Sequence, residues 1–236
     1  MKADCGIVIV AAGSGLRMGG DIPKQLQRLG GLPLFLWSSR FFDSLQDVCS
    51  VVIVGPEAHL PFMEKEAKET GLKKLTAMVV GGENRQDSVL AGLSALPETC
   101  DFAGVHDGAR PFPGPAVHEA IEIARQHGAA ILASPVTDTV KRVAKGSNVI
   151  SATEDRETLW AAQTPQFARR GVLMDALRHC VQKGILITDE ASALAEFGVD
   201  VRVVHSPRTN LKVTTPEDWA VAETLAAAYI EETDNR

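Results

Sequence analysis

The sequence predicts an α/β fold: a doubly wound, mostly parallel sheet from which a β-hairpin arm projects. Three observations predict it. Short apolar runs rich in Val, Ile and Ala alternate with longer amphipathic stretches, the pattern of successive β-α-β units. The short runs are apolar nearly throughout, as strands covered on both faces must be. Past Pro135 the alternation gives way to two brief β-prone runs around a turn sequence. The chain has 236 residues, enough for one large domain with a substantial core.

Taken in order, Cys5–Val10, Val48–Val54, Lys74–Val80, Phe102–His106 and Ala129–Pro135 read as buried strands. Between them Pro33–Ser44, Pro56–Thr70, Arg85–Leu96 and Pro115–His127 read as helices. Three of these open on proline, whose missing N–H is harmless in a first turn. Val140–Ala144 and Val149–Thr153 form the hairpin, joined by Lys145-Gly146-Ser147-Asn148. With so little apolar material that ribbon is marginal alone and needs another surface to rest on. The core resumes with Trp160–Gln163, a helix near Arg170–Gln182, a shorter one at Asp189–Phe197 and a strand at Val201–His205. A last helix starts at Thr215-Pro216-Glu217-Asp218, with Thr215 as N-cap and Pro216 in first position. Only Glu231 to Arg236 read as a disordered tail. Residues 1–236 are thus expected to form one Rossmann-like domain with an arm at about 137–156. Ligands in such a fold bind beyond the carboxyl ends of the strands, so the strand-to-helix loops are where function is sought.

Composition narrows the function. Hydrophobic residues are 45% and charged residues 23%, ordinary for a folded globular chain. A net charge of -6 argues against nucleic-acid binding through a broad basic surface, so a polyanionic ligand needs a local cluster of cations. Cys5, Cys49, Cys100 and Cys180 show no C-x-x-C pair and no histidine at ligand spacing. They read as buried free thiols in a reducing, cytoplasmic compartment. No apolar run approaches the ~20 residues of a membrane span. The N-terminus reads as a first strand entering a loop rather than as a signal peptide.

The richest segment follows the first strand: Ala11-Ala12-Gly13-Ser14-Gly15-Leu16-Arg17-Met18-Gly19-Gly20, then Pro23-Lys24-Gln25. The dinucleotide fingerprint G-x-G-x-x-G fails at Met18, and no G-K-[ST] of a Walker A loop follows. What remains is a glycine loop with its own Arg17 and, beyond it, Lys24. That pair suits a triphosphate, whose oxygens backbone N–H groups can approach; the plainer alternative is a surface loop with two solvated cations. Gly81-Gly82-Glu83-Asn84-Arg85-Gln86-Asp87-Ser88 also follows a strand and enters a helix. There Glu83 or Ser88 could read a base edge, or the segment is simply a turn and a polar helix start. Val105-His106-Asp107-Gly108-Ala109-Arg110-Pro111 sets an acid and a cation at the end of a central strand. Asp107 suits Mg²⁺ shared with substrate phosphates, since Mg²⁺ takes one or two protein carboxylates; alternatively it only pairs with Arg110. His106 reads as a hydrogen-bonded structural residue.

Nothing nucleophilic stands out, neither G-x-S-x-G nor a cysteine with a histidine partner. A phosphate monoester is already a nucleophile, and its attack on an α-phosphorus needs no covalent intermediate. It needs two repelling anions held in line and neutralised by placed Arg, Lys and Mg²⁺. The inventory fits a nucleotidyltransferase acting on a small phosphorylated substrate.

In order along the chain stand A-A-G-x-G-x-R-M-G with P-K-Q, G-G-x-x-R-x-D-S-V-x-x-G-L, H-D-x-A-R-P, P-V-x-D-T-x-K, Q-T-P-Q, T-D-E-A-S-A and N-x-K-V-T-x-P-E-D. With these motifs the sequence resembles the 2-C-methyl-D-erythritol 4-phosphate cytidylyltransferases of the non-mevalonate isoprenoid pathway, from Ala11 to Asp218. The resemblance implies transfer of CMP from CTP to 2-C-methyl-D-erythritol 4-phosphate with release of pyrophosphate, a Mg²⁺ requirement and a homodimer. The chain ends soon after Asp218, so the cyclodiphosphate synthase domain fused in some relatives is not expected. By the same resemblance Ala11, Ala12, Gly13 and Gly15 wrap the CTP, and Gly82, Glu83 and Ser88 face its base and ribose. Arg17 and Lys24 stabilise charge on the triphosphate, and Asp107 serves nucleotide and metal. Arg110, Thr139, Arg156, Thr188 and Lys212 hold the polyol phosphate, with Arg156 and Lys212 also catalytic. The family's arm crosses a dimer interface. Val10, Gly108 and Glu83 depart from residues common in the family, namely Pro, Ala and Asp. Two rivals stand beside this reading: a ribitol 5-phosphate cytidylyltransferase, which shares the glycine loop and Q-T-P-Q, and a non-catalytic nucleotide-binding module.

Overall fold

The computed structural model describes residues 3–13 and 22–234. After β1 (Cys5–Val10) come a small ribbon of β2 (Arg28–Leu29) and β3 (Leu32–Pro33), then α1 (Leu34–Ser44) and β4 (Val48–Gly55). There follow α2 (Leu60–Thr70), β5 (Leu75–Val80), α3 (Arg85–Ala95), β6 (Phe102–Asp107), α4 (Ala116–His127) and β7 (Ala129–Pro135). The arm is β8 (Lys141–Val143) and β9 (Ile150–Thr153); beyond it lie β10 (Trp160–Arg169), α5 (Arg170–Gln182), α6 (Glu190–Glu196), β11 (Arg202–His205) and α7 (Pro216–Asp234).

The main sheet has seven strands in the order β11-β7-β10-β6-β1-β4-β5. All its pairs are parallel except those of β10, which runs antiparallel to β6 and β7. The chain winds from β1 outward through β4 to β5, then returns to place β6 on the other side of β1. Strand order therefore reverses at β1 and β6, where a ligand crevice is expected. Side chains alternate between two cores, as the pleat requires. Ile7, Ile9 and Ile53 pack with Phe35, Phe42, Met63 and Ile121 from α1, α2 and α4. Val8, Val52 and Val105 pack with Leu93, Leu173, Leu177 and Leu194 from α3, α5 and α6. A smaller cluster of Leu29, Leu34, Phe112, Val213 and Ala226 seats α7.

Four details correct the sequence reading. The core run at Trp160–Gln163 is the start of a strand that continues to Arg169. Pro165 hid this extension, because a proline gives no ladder N–H and is rare in central strands; here it falls where the register breaks, between Ala162 and Gln166. The β2–β3 ribbon was not foreseen, since two residues per strand leave no periodicity to detect. Pro33 and Pro115 are N-caps rather than first helical residues, while Pro56 precedes a 3-10 turn at Glu57–His59. Finally, Glu231 to Asp234, read as tail, continue α7. Thr215 caps that helix as expected, its hydroxyl accepting from the Asp218 N–H at 3.3 Å.

The arm stands away from the core: every residue from Lys141 to Thr153 is exposed. Val149 is 70% and Ile150 57% accessible, which leaves the ribbon without the covering surface it needs. Among the described residues no helix is long and apolar enough to cross a membrane.

Candidate active site

The loops leaving β1, β5 and β6 converge at the crevice. Backbone hydrogen bonds fix them to one another: the Ala11 N–H donates to Val54 O at 2.8 Å, and the Gly108 N–H to Val10 O at 2.9 Å. Glycines allow the closeness. A Cβ on Gly81 would lie 2.4 Å from the Ala12 Cβ, and one on Gly82 2.3 Å from the Asp87 Cβ. These two glycines thus serve packing of the loops themselves, a reason that the sequence did not disclose. Ser88 is similarly engaged, accepting from the Gly82 N–H at 3.1 Å and donating to Asn84 O at 3.0 Å. Asn84 in turn caps α3 through the Asp87 N–H.

Between the loops opens a cavity of about 690 Å³. Of the expected nucleotide residues, Ala12, Gly13, Gly82, Glu83, Ser88 and Asp107 line it, as does Lys24. Ala11 lies buried beside them with 1% accessibility. Gly15 and Arg17 lie outside the described residues. The Lys24 ammonium donates to Val213 O, beside Lys212.

A second cavity, about 240 Å³, lies alongside and is lined by Arg110, Gln163, Thr164, Gln166, Thr188 and Asp189. Arg85, Asp107 and Lys212 line both cavities and so form their common wall. Thr188, which had an alternative role as an N-cap, does not cap α6. Asp189 does, accepting from the Ser192 N–H at 3.0 Å, and Thr188 remains to line the cavity.

Asp107 is the electrostatic centre of this wall. Its carboxylate lies 2.8 Å from the Lys212 ammonium, 3.4 Å from the Arg85 guanidinium and 3.8 Å from Arg110 Nε. Burial works to raise its pKa, but Arg85, Lys212 and Arg110 outweigh it and hold the carboxyl well below the ordinary carboxylate range. Asp107 is therefore a permanent anion among three cations, more than the Asp107–Arg110 pair conceivable from sequence. An ionised carboxylate facing both cavities fits Mg²⁺ coordination completed by phosphate oxygens. Among the described residues no cluster of three or more His, Cys, Asp or Glu side chains could hold a metal by itself, so such an ion depends on its substrate.

Arg85 and Glu190 complete the wall, and neither has a role in the sequence reading. Arg85 grips Glu190 with two hydrogen bonds, at 2.6 and 3.0 Å, and reaches Asp107 with the same head group. Glu190 is buried to 1%, so burial pushes its carboxyl up while Arg85 pulls it down. A carboxylate directly after the N-cap Asp189 and an Arg opening α3 were the only signals, and neither spacing revealed that they meet. Arg110 is held by a further chain: it donates to Asn210 O at 2.7 Å, and the Asn210 amide donates to Gln163 and to Thr164 O, each at 2.9 Å. Arg110 Nε and Asn210 Oδ1 are buried without a hydrogen-bond partner, and of the two residues Arg110 lines the smaller cavity.

His106 is structural, as expected. Fully buried, it donates from Nε2 to Arg110 O at 2.9 Å and receives the Thr164 hydroxyl at Nδ1. Burial lowers its pKa to about 4, so it stays neutral and fixes the Asp107–Arg110 turn. Thr139 and Arg156 are not brought to either cavity of their own chain. Arg156 donates to Thr137 O at 2.9 Å at the base of the arm, on an exposed surface.

The chain is similar to known proteins along nearly its whole length. Residues 5–228 match the family model IspD, 2-C-methyl-D-erythritol 4-phosphate cytidylyltransferase. The chain is 41% identical over 223 residues to the 2-C-methyl-D-erythritol 4-phosphate cytidylyltransferase of Pelotomaculum thermopropionicum, covering 94% of this chain and 93% of that protein. It is 39% identical over 218 residues to the bifunctional enzyme IspD/IspF of Desulfotalea psychrophila, covering 92% of this chain and spanning 55% of that longer relative. The solved 4-diphosphocytidyl-2C-methyl-D-erythritol synthase of Anaerococcus prevotii matches with a TM-score of 0.82 at 26% identity over 96% of both chains. With a family match that runs over nearly its whole length, the chain belongs to the 2-C-methyl-D-erythritol 4-phosphate cytidylyltransferase family and is a nucleotidyltransferase.

Proposed function

We propose that the protein transfers CMP from CTP to 2-C-methyl-D-erythritol 4-phosphate and releases pyrophosphate, a step of isoprenoid precursor synthesis. The observation that carries this reading is the pair of adjoining cavities with the Arg85–Asp107–Lys212 wall between them. The larger takes the nucleotide against Ala12, Gly13, Gly82 and Glu83. The smaller takes the polyol phosphate, with Arg110, Thr188 and Lys212 as its polar contacts. Joined at the wall, the two anions meet where cations are concentrated, and the phosphate oxygen can approach the α-phosphorus in line.

Attack forms one P–O bond and breaks the bond to the leaving pyrophosphate, and no protein nucleophile is required. Lys24 and Arg17 stabilise charge as it moves onto the leaving group. Lys212 neutralises the incoming phosphate at the wall while Asp107 keeps that ammonium in place. Mg²⁺, when bound, would be held by Asp107 and supplies charge neutralisation between phosphate oxygens.

The exposed arm supports a two-fold dimer in which Thr139 and Arg156 complete the partner subunit's smaller cavity. Val149 and Ile150 are then covered, and the absence of Arg156 from its own chain's cavities is explained. The four free cysteines suit a reducing, cytoplasmic setting. The test is pyrophosphate release with CTP and Mg²⁺, offering 2-C-methyl-D-erythritol 4-phosphate and ribitol 5-phosphate in turn. Release with the methylerythritol substrate alone supports the proposal; preference for ribitol 5-phosphate, or release with neither, overturns it.

A further inference from the structure

At the amino ends of the central strands, opposite the cavities, two thiols meet across a strand that separates their own. Cys49 lies on β4 and Cys100 just ahead of β6, with β1 between them. Their sulfurs are nevertheless 3.1 Å apart. Two local features bring this about. Cys5 pairs with Val48 and Gly6 with Ser50, so Cys49 is the extra residue of a bulge, which re-aims its side chain. Beneath the sulfurs stands Gly6, and a Cβ there would lie 3.0 Å from Cys100 Sγ. Glycine keeps open the space in which the thiols touch. Cys5 is no third member, because its side chain packs into the opposite core; only its carbonyl accepts from the Cys49 thiol, at 3.4 Å.

The two sulfurs differ in access. Cys49 is partly exposed, whereas Cys100 is 2% accessible. We propose that Cys49 and Cys100 form an oxidative modification site, a dithiol that closes to a disulfide on reaction with a small disulfide such as oxidised glutathione. The Cys49 thiolate attacks one glutathione sulfur, forming a mixed disulfide and expelling a glutathione thiolate. Cys100 then loses its proton and attacks the Cys49 sulfur, expelling the second glutathione. Two protein thiols lose two electrons and two protons, and one glutathione disulfide becomes two thiols. The chemistry of Cys49 suits the attacking role: a hydrogen bond from Cys100, against the effect of burial, lowers its pKa to about 7. Closing the bond asks the sulfurs to approach by about 1 Å to the ordinary S–S length. It would tie β4 to the start of β6 across β1, and the far end of β6 carries Asp107.

The whole chain, fully reduced, is incubated with excess oxidised glutathione, acid-quenched and unfolded, and its thiols are titrated and its peptides mapped without reductant. The expected result is loss of two of the four thiols, with one cross-linked peptide pair containing Cys49 and Cys100. Cys49→Ser should abolish the loss, and Cys100→Ser should stop at a stable glutathione adduct on Cys49. Retention of all four thiols in the wild-type chain overturns the proposal. So does a wild-type map in which glutathione persists on Cys49 while Cys100 stays titratable, an outcome that needs no variant to fold.

Discussion

Replacing Arg85 by Met would strand a carboxylate that the fold has buried. Glu190 is 1% accessible, and its two short hydrogen bonds from Arg85 compensate for that burial. Without Arg85 the folded state keeps Glu190 only by protonating it. For a carboxyl whose ordinary pKa is 4.5, that uptake adds at most about 3 kcal/mol at pH 7, at about 1.36 kcal/mol per unit, since burial already raises it in the wild type. This lies at the lower end of the ~3–5 kcal/mol seen when a buried pair loses one member. It corresponds to a fall in Tm of roughly 6–12 °C for a chain of this size. The pH dependence has a definite sign. Burial already holds the folded-state pKa of Glu190 above its unfolded value, and in the variant it rises further. The penalty is therefore absent below about pH 4.5, grows as pH rises and is complete above the raised folded value. Chemical denaturation of wild type and Arg85→Met from pH 5 to pH 8 should show a deficit that shrinks toward acid. A double variant, Arg85→Met with Glu190→Met, should recover most of the stability but not the turnover, because Asp107 and the Thr188 loop lose their tie. A loss of ~10²-fold in kcat is expected from that misplacement. A deficit below about 1 kcal/mol at pH 7, or one that ignores pH, would refute the view that Arg85 holds Glu190 ionised.

Three further predictions concern the proposed roles. Lys24→Ala and Arg17→Ala should each lower kcat by ~10²–10³, since both stabilise charge that develops in the transition state; a rise in KM for CTP at unchanged kcat would mean simple binding instead. Lys212→Ala, which removes the ammonium 2.8 Å from Asp107, should damage turnover while calorimetry finds CTP binding nearly intact; lost CTP binding would move Lys212 to the nucleotide side. Mixing inactive Arg17→Ala and Arg156→Ala proteins should restore roughly a quarter of wild-type activity, because a two-fold mixed dimer holds one intact site. Subunit exchange proven by mass without such recovery would rule out shared sites.

Much of the fold was legible because its strands are apolar runs of ordinary length with helices of clear periodicity between them. The limits of Ala129–Pro135 and Arg170–Gln182 agree with the observed elements to the residue. Only the start of β10 shows in the sequence, since Pro165 mimics a strand end, although a register break accommodates it. The candidate site was legible where it is local in sequence: Gly13 and Gly82 follow strands, Asp107 ends one, and all three line the larger cavity. It was illegible where it is made by long-range packing. Arg85 and Glu190 are 105 residues apart, and nothing in either neighbourhood announces their contact. Gly82 lines the cavity, but an added Cβ on Gly81 or Gly82 would first meet Ala12 or Asp87. Only the assembled loops show that steric reason.

The most direct measurement is a ³¹P NMR time course of the protein with Mg²⁺ and equal amounts of CTP and 2-C-methyl-D-erythritol 4-phosphate. Direct in-line transfer predicts that the monoester and triphosphate signals fall together. They should be replaced by the two coupled phosphorus signals of a cytidine diphosphate ester and by free pyrophosphate in equal amount. Persistence of the monoester signal, or conversion of CTP to CMP and pyrophosphate without the coupled pair, would contradict cytidylyl transfer to this substrate.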